Sequence, residues 1–507
     1  MSDRLIPVLS MMAHAEKQPN NIALSDDNSE LTWSELKNSV INTAKSISSQ
    51  INGASKKRVA VFFDGSAEMV IAILAVQLAG GAYIPLEPKI PDARIDAIFA
   101  AASPSLILTD GKNLQSCTAI ASRLNVPLAV IDAGSPQPLT HHLGFTITPG
   151  ELPQLTPEMP AVVFFTSGST GKPKGVELCH IGYQRWFEGV QELMSVKPND
   201  RVALTTNHSF DLSLGEIVLA LVSGAALYVP SQSTVRDPFS LLPWLDKHRI
   251  TIWQSVPSLM RQILHFYPQS DALNSLRIMM FCGEPLEVSL VAKFKASFTH
   301  TSAQPLNLYG PVEASVQVSW CWAYEYLNSD LTVVPLGKPL KHAHITLKDF
   351  GDGTQEIQVS GEHLALRYLD EEKTRQAFIE NDAPRPRYYR TGDIGRLNDN
   401  GDIEYQGRVD DQVKINGYRI ELSEIERNIV EHFGARDACV LPVLKNERYE
   451  LAAFVVTEQQ DPKALRRKLA EYLPVYMLPR NIFFLDALPL TSNGKRDKVK
   501  LKMDYLV

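Results

Sequence analysis

Apolar positions recur along most of this chain in two alternating rhythms. Short continuous apolar runs at 58–63, 82–86, 106–109, 127–131 and 161–165 read as buried strands, and the longer run 67–78 reads as a helix between two of them. Together 58–63, 67–78 and 82–86 predict a βαβ unit. The alternation continues through strand-like runs at 201–204, 225–229, 251–254, 277–281 and 307–309. This pattern predicts an α/β body of layered sheets and helices. From about residue 334 the texture changes to short strands separated by Leu336-Gly337-Lys338-Pro339, Gly351-Asp352-Gly353-Thr354 and Asn398-Asp399-Asn400-Gly401. A second change falls near Gly407-Arg408-Val409-Asp410-Asp411, beyond which a helix is expected over 421–431, strands over 438–443 and 451–456, and a helix opened by Asp461-Pro462. Leu465, Leu469, Tyr472 and Leu473 line one face of that last helix before Pro474 stops it. The expected organisation is an N-terminal domain over 1–409, containing a β-rich module at about 334–409, and a small α+β lid domain over 410–507.

A length of 507 residues exceeds one ordinary core, which agrees with two or more domains. The net charge of −7 and the lack of a dominant basic tract argue against nucleic acid as a partner. The five cysteines, Cys117, Cys179, Cys282, Cys321 and Cys439, show no CxxC spacing, so a reducing cytoplasm is expected and zinc is not. Residues 1–7 lack the apolar core of a signal peptide. The apolar runs 69–86 and 217–229 are broken by Gln77, Gly80, Gly81 and Pro85, or are too short, so both read as buried helix followed by strand and no membrane span is expected.

Candidate chemistry begins just after 161–165, at Thr166-Ser167-Gly168-Ser169-Thr170-Gly171-Lys172-Pro173-Lys174-Gly175. Glycines that let backbone N–H groups turn inward, hydroxyl donors and lysines make a phosphate-holding loop. It is not the Walker loop: Gly168 and Gly171 are too close together, and Pro173 follows Lys172 where Ser or Thr would be needed for magnesium. A flexible Ser/Gly turn is the plain alternative for the loop taken alone.

Four further stretches join it: Phe210-Asp211-Leu212-Ser213, Asn307-Leu308-Tyr309-Gly310-Pro311-Val312-Glu313, Tyr389-Arg390-Thr391-Gly392-Asp393 and Asn493-Gly494-Lys495. In order and distance these resemble the superfamily of adenylate-forming enzymes, which comprises acyl-CoA synthetases, luciferases and the adenylation domains of nonribosomal peptide synthetases. The resemblance covers nearly the whole chain. It implies that Thr166, Ser167, Gly168, Ser169, Thr170, Gly171 and Lys174 hold the β- and γ-phosphates of ATP. By the same resemblance Tyr309, with Gly310, stacks on adenine, Asn307 bonds its amine close to Gly283 and Glu284, Asp393 accepts the ribose hydroxyls, and Arg408 lies beside ribose and phosphate. Glu313 would hold Mg²⁺, and Lys495 would be the catalytic lysine of adenylate formation. A hinge at Asp410 would swing the lid so that Lys495 leaves and the segment with Lys414 and Gly417 enters, with Gly417 along a phosphopantetheine tunnel. The plain reading of that segment is a static hairpin, for which Asn416-Gly417 is a good turn dipeptide.

Asp211 selects among branches of the superfamily. In its amino-acid-activating members an aspartate here receives the substrate ammonium, a partner that a buried carboxylate needs. Its alternative, capping the following helix, competes with a capping box from Ser213 to Glu216. The remaining pocket positions implied are Leu212, Gly215, Gln254, Met280, Cys282, Leu308, Val316 and Gln317. The surroundings of Asp211, Trp253 and Cys282 look more like D-alanine–carrier protein ligase than like most peptide-synthetase domains. Gly215 and the two glutamines depart from an alanine-sized apolar pocket, pointing equally to a larger or polar amino acid unless the glutamines bond each other or backbone. Val312 stands where the family usually has threonine, and Arg367 in an expected surface turn. No Gly-Gly-x-Ser attachment site follows Lys495. The expected enzyme is therefore a freestanding, monomeric amino-acid adenylation enzyme that loads the phosphopantetheine of a separate carrier protein, with coenzyme A as second choice of acceptor. The basic cluster Arg466-Arg467-Lys468 is a candidate carrier contact or simply a solvated helix face. The alternatives are an acyl- or aryl-CoA ligase and a degenerate ATP-binding regulator.

Overall fold

The computed structural model describes residues 6–51, 58–131, 139–142, 150–168, 172–351, 353–380, 387–445, 448–491 and 496–506. These form two compact units: residues up to 88, 102–164 and 175–407 make the first, while 89–101, 165–174 and 408–507 make the second.

The first unit is built on two large, mostly parallel sheets. One has eight strands, with Arg58–Phe62, Ala82–Leu86 and Leu106–Thr109 at its centre. The predicted βαβ unit is there: Arg58 pairs in parallel with Ala82, and helix Ala67–Leu78 connects the two strands. The other sheet has nine strands, whose parallel middle runs through Arg201–Ala203, Ile252–Ser255, Ile278–Phe281 and Gln304–Tyr309. Helices Ala67–Leu78 and Asp211–Ser223 are apolar nearly all round, and a helix of that kind must be covered on every side. One continuous core accordingly joins Val59 and Val61 of the first sheet, Leu227 and Ile252 of the second, and Val70, Ile73, Ile217 and Leu221 of these helices. Both apolar runs tested above as membrane spans are thus buried helices followed by strands, and no helix among the described residues is long and apolar enough to cross a membrane.

The β-rich texture after residue 334 yields a separate five-stranded antiparallel sheet, with His344–Asp349, Gln355–Ser360 and Tyr388–Leu397 pairing in turn. Arg367 is not in a surface turn. Arg367 and Tyr368 form a short strand against Glu177 and Val176, and the Arg367 Nε donates to Glu177 Oε2 at 2.9 Å. The same carboxylate accepts from Arg58 at 2.6 and 3.0 Å, so a buried ion network ties Arg58, in the middle of the eight-stranded sheet, to this edge.

In the second unit, helix Leu422–Phe433 and helix Pro462–Leu469 pack on a three-stranded sheet, where Asp437–Lys445 pairs with Arg448–Val456. Asp461 caps its helix as expected, accepting from Lys463 and Ala464 N at 2.9 and 3.0 Å. That helix ends at Leu469, however, so Tyr472 and Leu473 reach the core from the turns that follow it rather than from its face.

Candidate active site

Helix Asp211–Ser223 opens on the residue that selects among branches. Phe210 is its extended N-cap, and Ser213 Oγ donates back to the Phe210 carbonyl at 2.6 Å. The expected capping box does not form, because Glu216 turns inward to Thr206 instead. Asp211 is therefore the first helical residue, where the helix dipole favours a negative charge. It is buried, and its Oδ1 accepts the Leu212 N–H at 3.0 Å. Tyr83 and Tyr183 sit within electrostatic reach. Burial first, and then the Asp211 charge, push the Tyr83 hydroxyl well above the usual tyrosine range. Tyr183 is raised likewise, by burial, Tyr83 and Asp211 in that order. Neither hydroxyl meets a hydrogen-bond partner among the described residues, so Asp211 lies among polar atoms that a bound ligand or water would satisfy.

The sheet supplies the next wall. Register places Gln254 beside Met280 and Met280 beside Leu306, and the two-residue period puts Cys282 and Leu308 on the same face. Predicted pocket residues from three strands therefore share one surface. Val316 and Gln317 are brought in by a tight loop in which Ser315 and Val316 both have positive φ, 53° and 79°. For a β-branched valine this is a strained conformation that its surroundings must enforce. Gly310 allows it, since a Cβ there would lie 2.4 Å from the Val316 carbonyl oxygen.

Gly215 does not enlarge the pocket. An added Cβ would lie 3.2 Å from both Trp186 Cη2 and Val316 Cγ1, so the indole already fills the space. The glutamines bond each other: Gln317 Nε2 donates to Gln254 Oε1 at 3.1 Å, and Gln254 Nε2 donates to the Leu212 carbonyl at 3.2 Å and to Glu216 Oε1 at 3.4 Å. Trp186 and Glu216, at the two ends of this chain, were not expected at the site. Nothing marks Trp186 within helix His180–Met194, and Glu216 reads as a cap. Burial pushes the Glu216 carboxyl up to about 8, so it is neutral near pH 7.

Tyr309, Asn307, Gly283, Glu284, Glu313 and Asp393, all expected around the nucleotide, lie in the first unit. Tyr309 OH donates to Asp393 Oδ2 at 2.6 Å, and both are buried. Asn307 Nδ2 donates to the Pro335 carbonyl at 2.8 Å, which commits one amide donor and orients the side chain. Glu284, next to Gly283 with its φ of 87°, accepts from Ser258 N and Oγ at 2.9 and 3.0 Å and so caps helix Pro257–Phe266. Glu313, fully buried on a short 3₁₀ turn, accepts from Tyr368 OH at 2.7 Å.

In the second unit, the loop begins where strand Pro160–Thr166 ends and closes at strand Lys174–Cys179. At Gly168 an added Cβ would lie 2.2 Å from the Lys172 carbonyl oxygen, so the turn admits only glycine. Ser167 Oγ donates to the Arg419 carbonyl at 2.8 Å and accepts from Glu421 N at 3.1 Å, while Gly168 N donates to Glu424 Oε2 at 3.2 Å. Glu424 also pairs with Arg94 at 2.9 Å. The shielded Thr166 Oγ1 has no partner among the described residues, which suits a hydroxyl that would donate to a phosphate oxygen. Arg408 is clamped by both carboxylate oxygens of Asp410, at 2.7 and 2.8 Å. Lys414 lies on a hairpin strand paired with Arg419, and Asn416 and Gly417, with φ of 51° and 79°, make its two-residue turn. Ser169, Thr170, Gly171 and Lys495 lie outside the described residues.

Comparison with known proteins now decides the family. Residues 11–369 match AMP-binding enzymes, and residues 424–495 match the AMP-binding enzyme C-terminal domain. The chain is an adenylate-forming AMP-binding enzyme. Among similar proteins, tyrocidine synthase 1 of Brevibacillus parabrevis is 32% identical over 499 residues, covering 96% of this chain and 44% of that synthase. The chain spans less than half the length of curated relatives of this kind. The structure of the Vibrio cholerae adenylation domain AlmE in complex with glycyl-adenosine-5'-phosphate is 25% identical, with a TM-score of 0.83 and 97% of each chain covered. A nonribosomal peptide synthetase protein containing adenylation and PCP domains, bound to a vinylsulfonamide inhibitor, is also 25% identical with a TM-score of 0.83, over 98% of this chain and 84% of that one. This AMP-binding enzyme is therefore of the peptide-synthetase adenylation type, in a family that uses ATP.

Proposed function

We propose that this AMP-binding enzyme activates an amino acid as its adenylate and passes it to the phosphopantetheine thiol of a carrier protein. The observation that carries the reading is Asp211, a buried carboxylate at the head of a helix, beside the hydroxyls of Tyr83 and Tyr183, which meet no hydrogen-bond partner among the described residues. An α-ammonium group is the complement such a carboxylate takes, and a fatty or aryl acid has none to offer. The glycyl adenylate held by AlmE, and the PCP domain of the other structural neighbour, support an amino acid and a carrier as the two substrates.

In the first step a substrate carboxylate oxygen bonds to the α-phosphorus of ATP, and the bond from that phosphorus to pyrophosphate breaks. Lys495 would stabilise the charge that grows on the phosphate oxygens. Thr166 and its loop with Lys174 would hold the departing pyrophosphate, and Glu313, braced by Tyr368, would hold Mg²⁺, a hard cation suited to a carboxylate. Tyr309 and Asp393 would take adenine and ribose, their mutual hydrogen bond fixing both side chains. In the second step the carrier thiol attacks the activated carbonyl, a thioester forms and AMP leaves. Asp410 would be the hinge, and the hairpin carrying Lys414 and Gly417 the face presented for this step, so that one lid serves two reactions.

The test is Asp211→Asn in ATP–pyrophosphate exchange. The variant should raise the amino-acid KM by about ten-fold or more while the ATP KM moves little, because a charge-assisted bond to the ammonium is lost. Equal rises in both would make Asp211 a structural residue.

A further inference from the structure

Trp186 occupies a position that no motif assigns. Its indole Nε1 donates to Gln317 Oε1 at 2.6 Å, which begins the buried chain running through Gln254 to Glu216 and Thr206. Trp186, Gln317, Gln254 and Glu216 are each at most 2% exposed. Every link is used: Gln317 accepts from the indole and donates to Gln254, Gln254 donates to Leu212 and Glu216, and Thr206 donates to Glu216. Rotating the indole away would strand the Gln317 carbonyl in a dry interior and unsettle the links beyond it. The ring is therefore a fixed wall.

What it walls off follows from the helix. Asp211 and Gly215 are four residues apart in helix Asp211–Ser223, hence on one face and about 6 Å apart along the axis. Trp186 Cη2 and Cζ2 stand against Gly215, 3.2 and 3.3 Å from where its Cβ would be, and Val316 Cγ1 closes the same spot. One helical turn beyond the carboxylate, aromatic carbon and the Val316 methyl occupy the space that the missing Gly215 side chain leaves. We infer that Trp186 is a specificity-determining residue whose indole, locked by Gln317, floors the side-chain pocket and restricts this enzyme to small amino acids of the size of glycine, alanine or serine. The inference rests on Asp211 receiving the substrate ammonium.

The test is kcat/KM in ATP–pyrophosphate exchange for glycine, alanine, serine, valine, leucine and phenylalanine, with the full chain and with Trp186→Ala, Trp186→Leu and Trp186→Phe. The unaltered enzyme should work at the small end of this series. In Trp186→Ala or Trp186→Leu the ratio of kcat/KM for leucine to that for the best small substrate should rise by about ten-fold or more, the discrimination expected when a pocket gains several carbons of space. Trp186→Phe, which retains most of the packing and loses the Gln317 bond, should shift the ratio the same way by less and guards against a misfolded truncation. Preference of the unaltered enzyme for leucine or phenylalanine, or the same ratio in a variant that still turns over, would overturn the inference. Exchange with no amino acid, but with acids that lack an amine, would overturn the Asp211 reading itself and is told apart by the unaltered enzyme alone.

Discussion

Replacing Glu216 by glutamine should remove one downward slope from the first unit's pH–stability profile. In the native protein burial holds the Glu216 carboxyl proton up to about pH 8, whereas in the unfolded chain that proton leaves near the ordinary value of 4.5. Between about pH 5.5 and 7.5 the folded state therefore binds one proton that the unfolded state does not. Stability then falls as pH rises, by up to about 1.4 kcal/mol per unit and in practice about 2 kcal/mol across the window. Four buried histidines work in the opposite direction: burial lowers His180, His208 and His342 to about 4 and His363 to about 3, so they add stability as pH rises toward 6.5. The raw pH profile mixes both effects, and the difference between wild type and Glu216→Gln isolates the carboxyl. Glutamine keeps one oxygen for the Thr206 hydroxyl and Gln254 bonds and gives up the bond from Thr206 N, so the variant should be less stable than wild type at the low end of the range yet still fold. The assay is urea unfolding followed by tryptophan fluorescence, because all six tryptophans lie in the first unit and report on it selectively. The variant should gain on wild type steadily from the lower to the higher pH. Parallel profiles would show that Glu216 is ionised in the native state, and the neutral-network argument would fail.

Lys495→Ala should cut adenylate formation by about 100-fold or more while thioester formation from supplied adenylate largely persists, measured as pyrophosphate release and carrier loading. Equal loss of both would remove the argument for an alternating lid. Glu177→Gln leaves the buried Arg58 guanidinium without its counter-charge and should destabilise the first unit by about 3–5 kcal/mol in the same fluorescence assay. A loss below about 1 kcal/mol would mean that the Ala102 carbonyl and the glutamine oxygen suffice to hold the Arg58 guanidinium.

The layered α/β architecture was legible because buried parallel strands and an all-apolar helix leave unbroken apolar runs, as at Arg58–Phe62 and Ala67–Leu78. Single residues at surfaces and ends were harder. Arg367 looked like a turn because a two-residue edge strand leaves no period to read, and its place is set by Glu177, 190 residues away. Ser213 to Glu216 has capping-box spacing, but the helix begins two residues before Ser213, and tertiary bonds to Thr206 and Gln254 claim Glu216. Asp211, Gly215 and the strand positions facing them follow from motif matching. Trp186 does not, because its part in the pocket depends on the packing of helix His180–Met194 against helix Asp211–Ser223, which no local pattern encodes. Gly215 and the two glutamines pointed toward a larger or polar substrate only while their partners were unknown.

The central claim is that Asp211 commits the enzyme to acids bearing an α-ammonium group. ATP–pyrophosphate exchange with glycine and alanine, set against acetate and propionate as matched acids lacking the amine, tests it most directly. Exchange is expected with at least one of the amino acids and none above background with its amine-free partner. Comparable exchange with both members of a pair, or exchange with the amine-free acid alone, would contradict it.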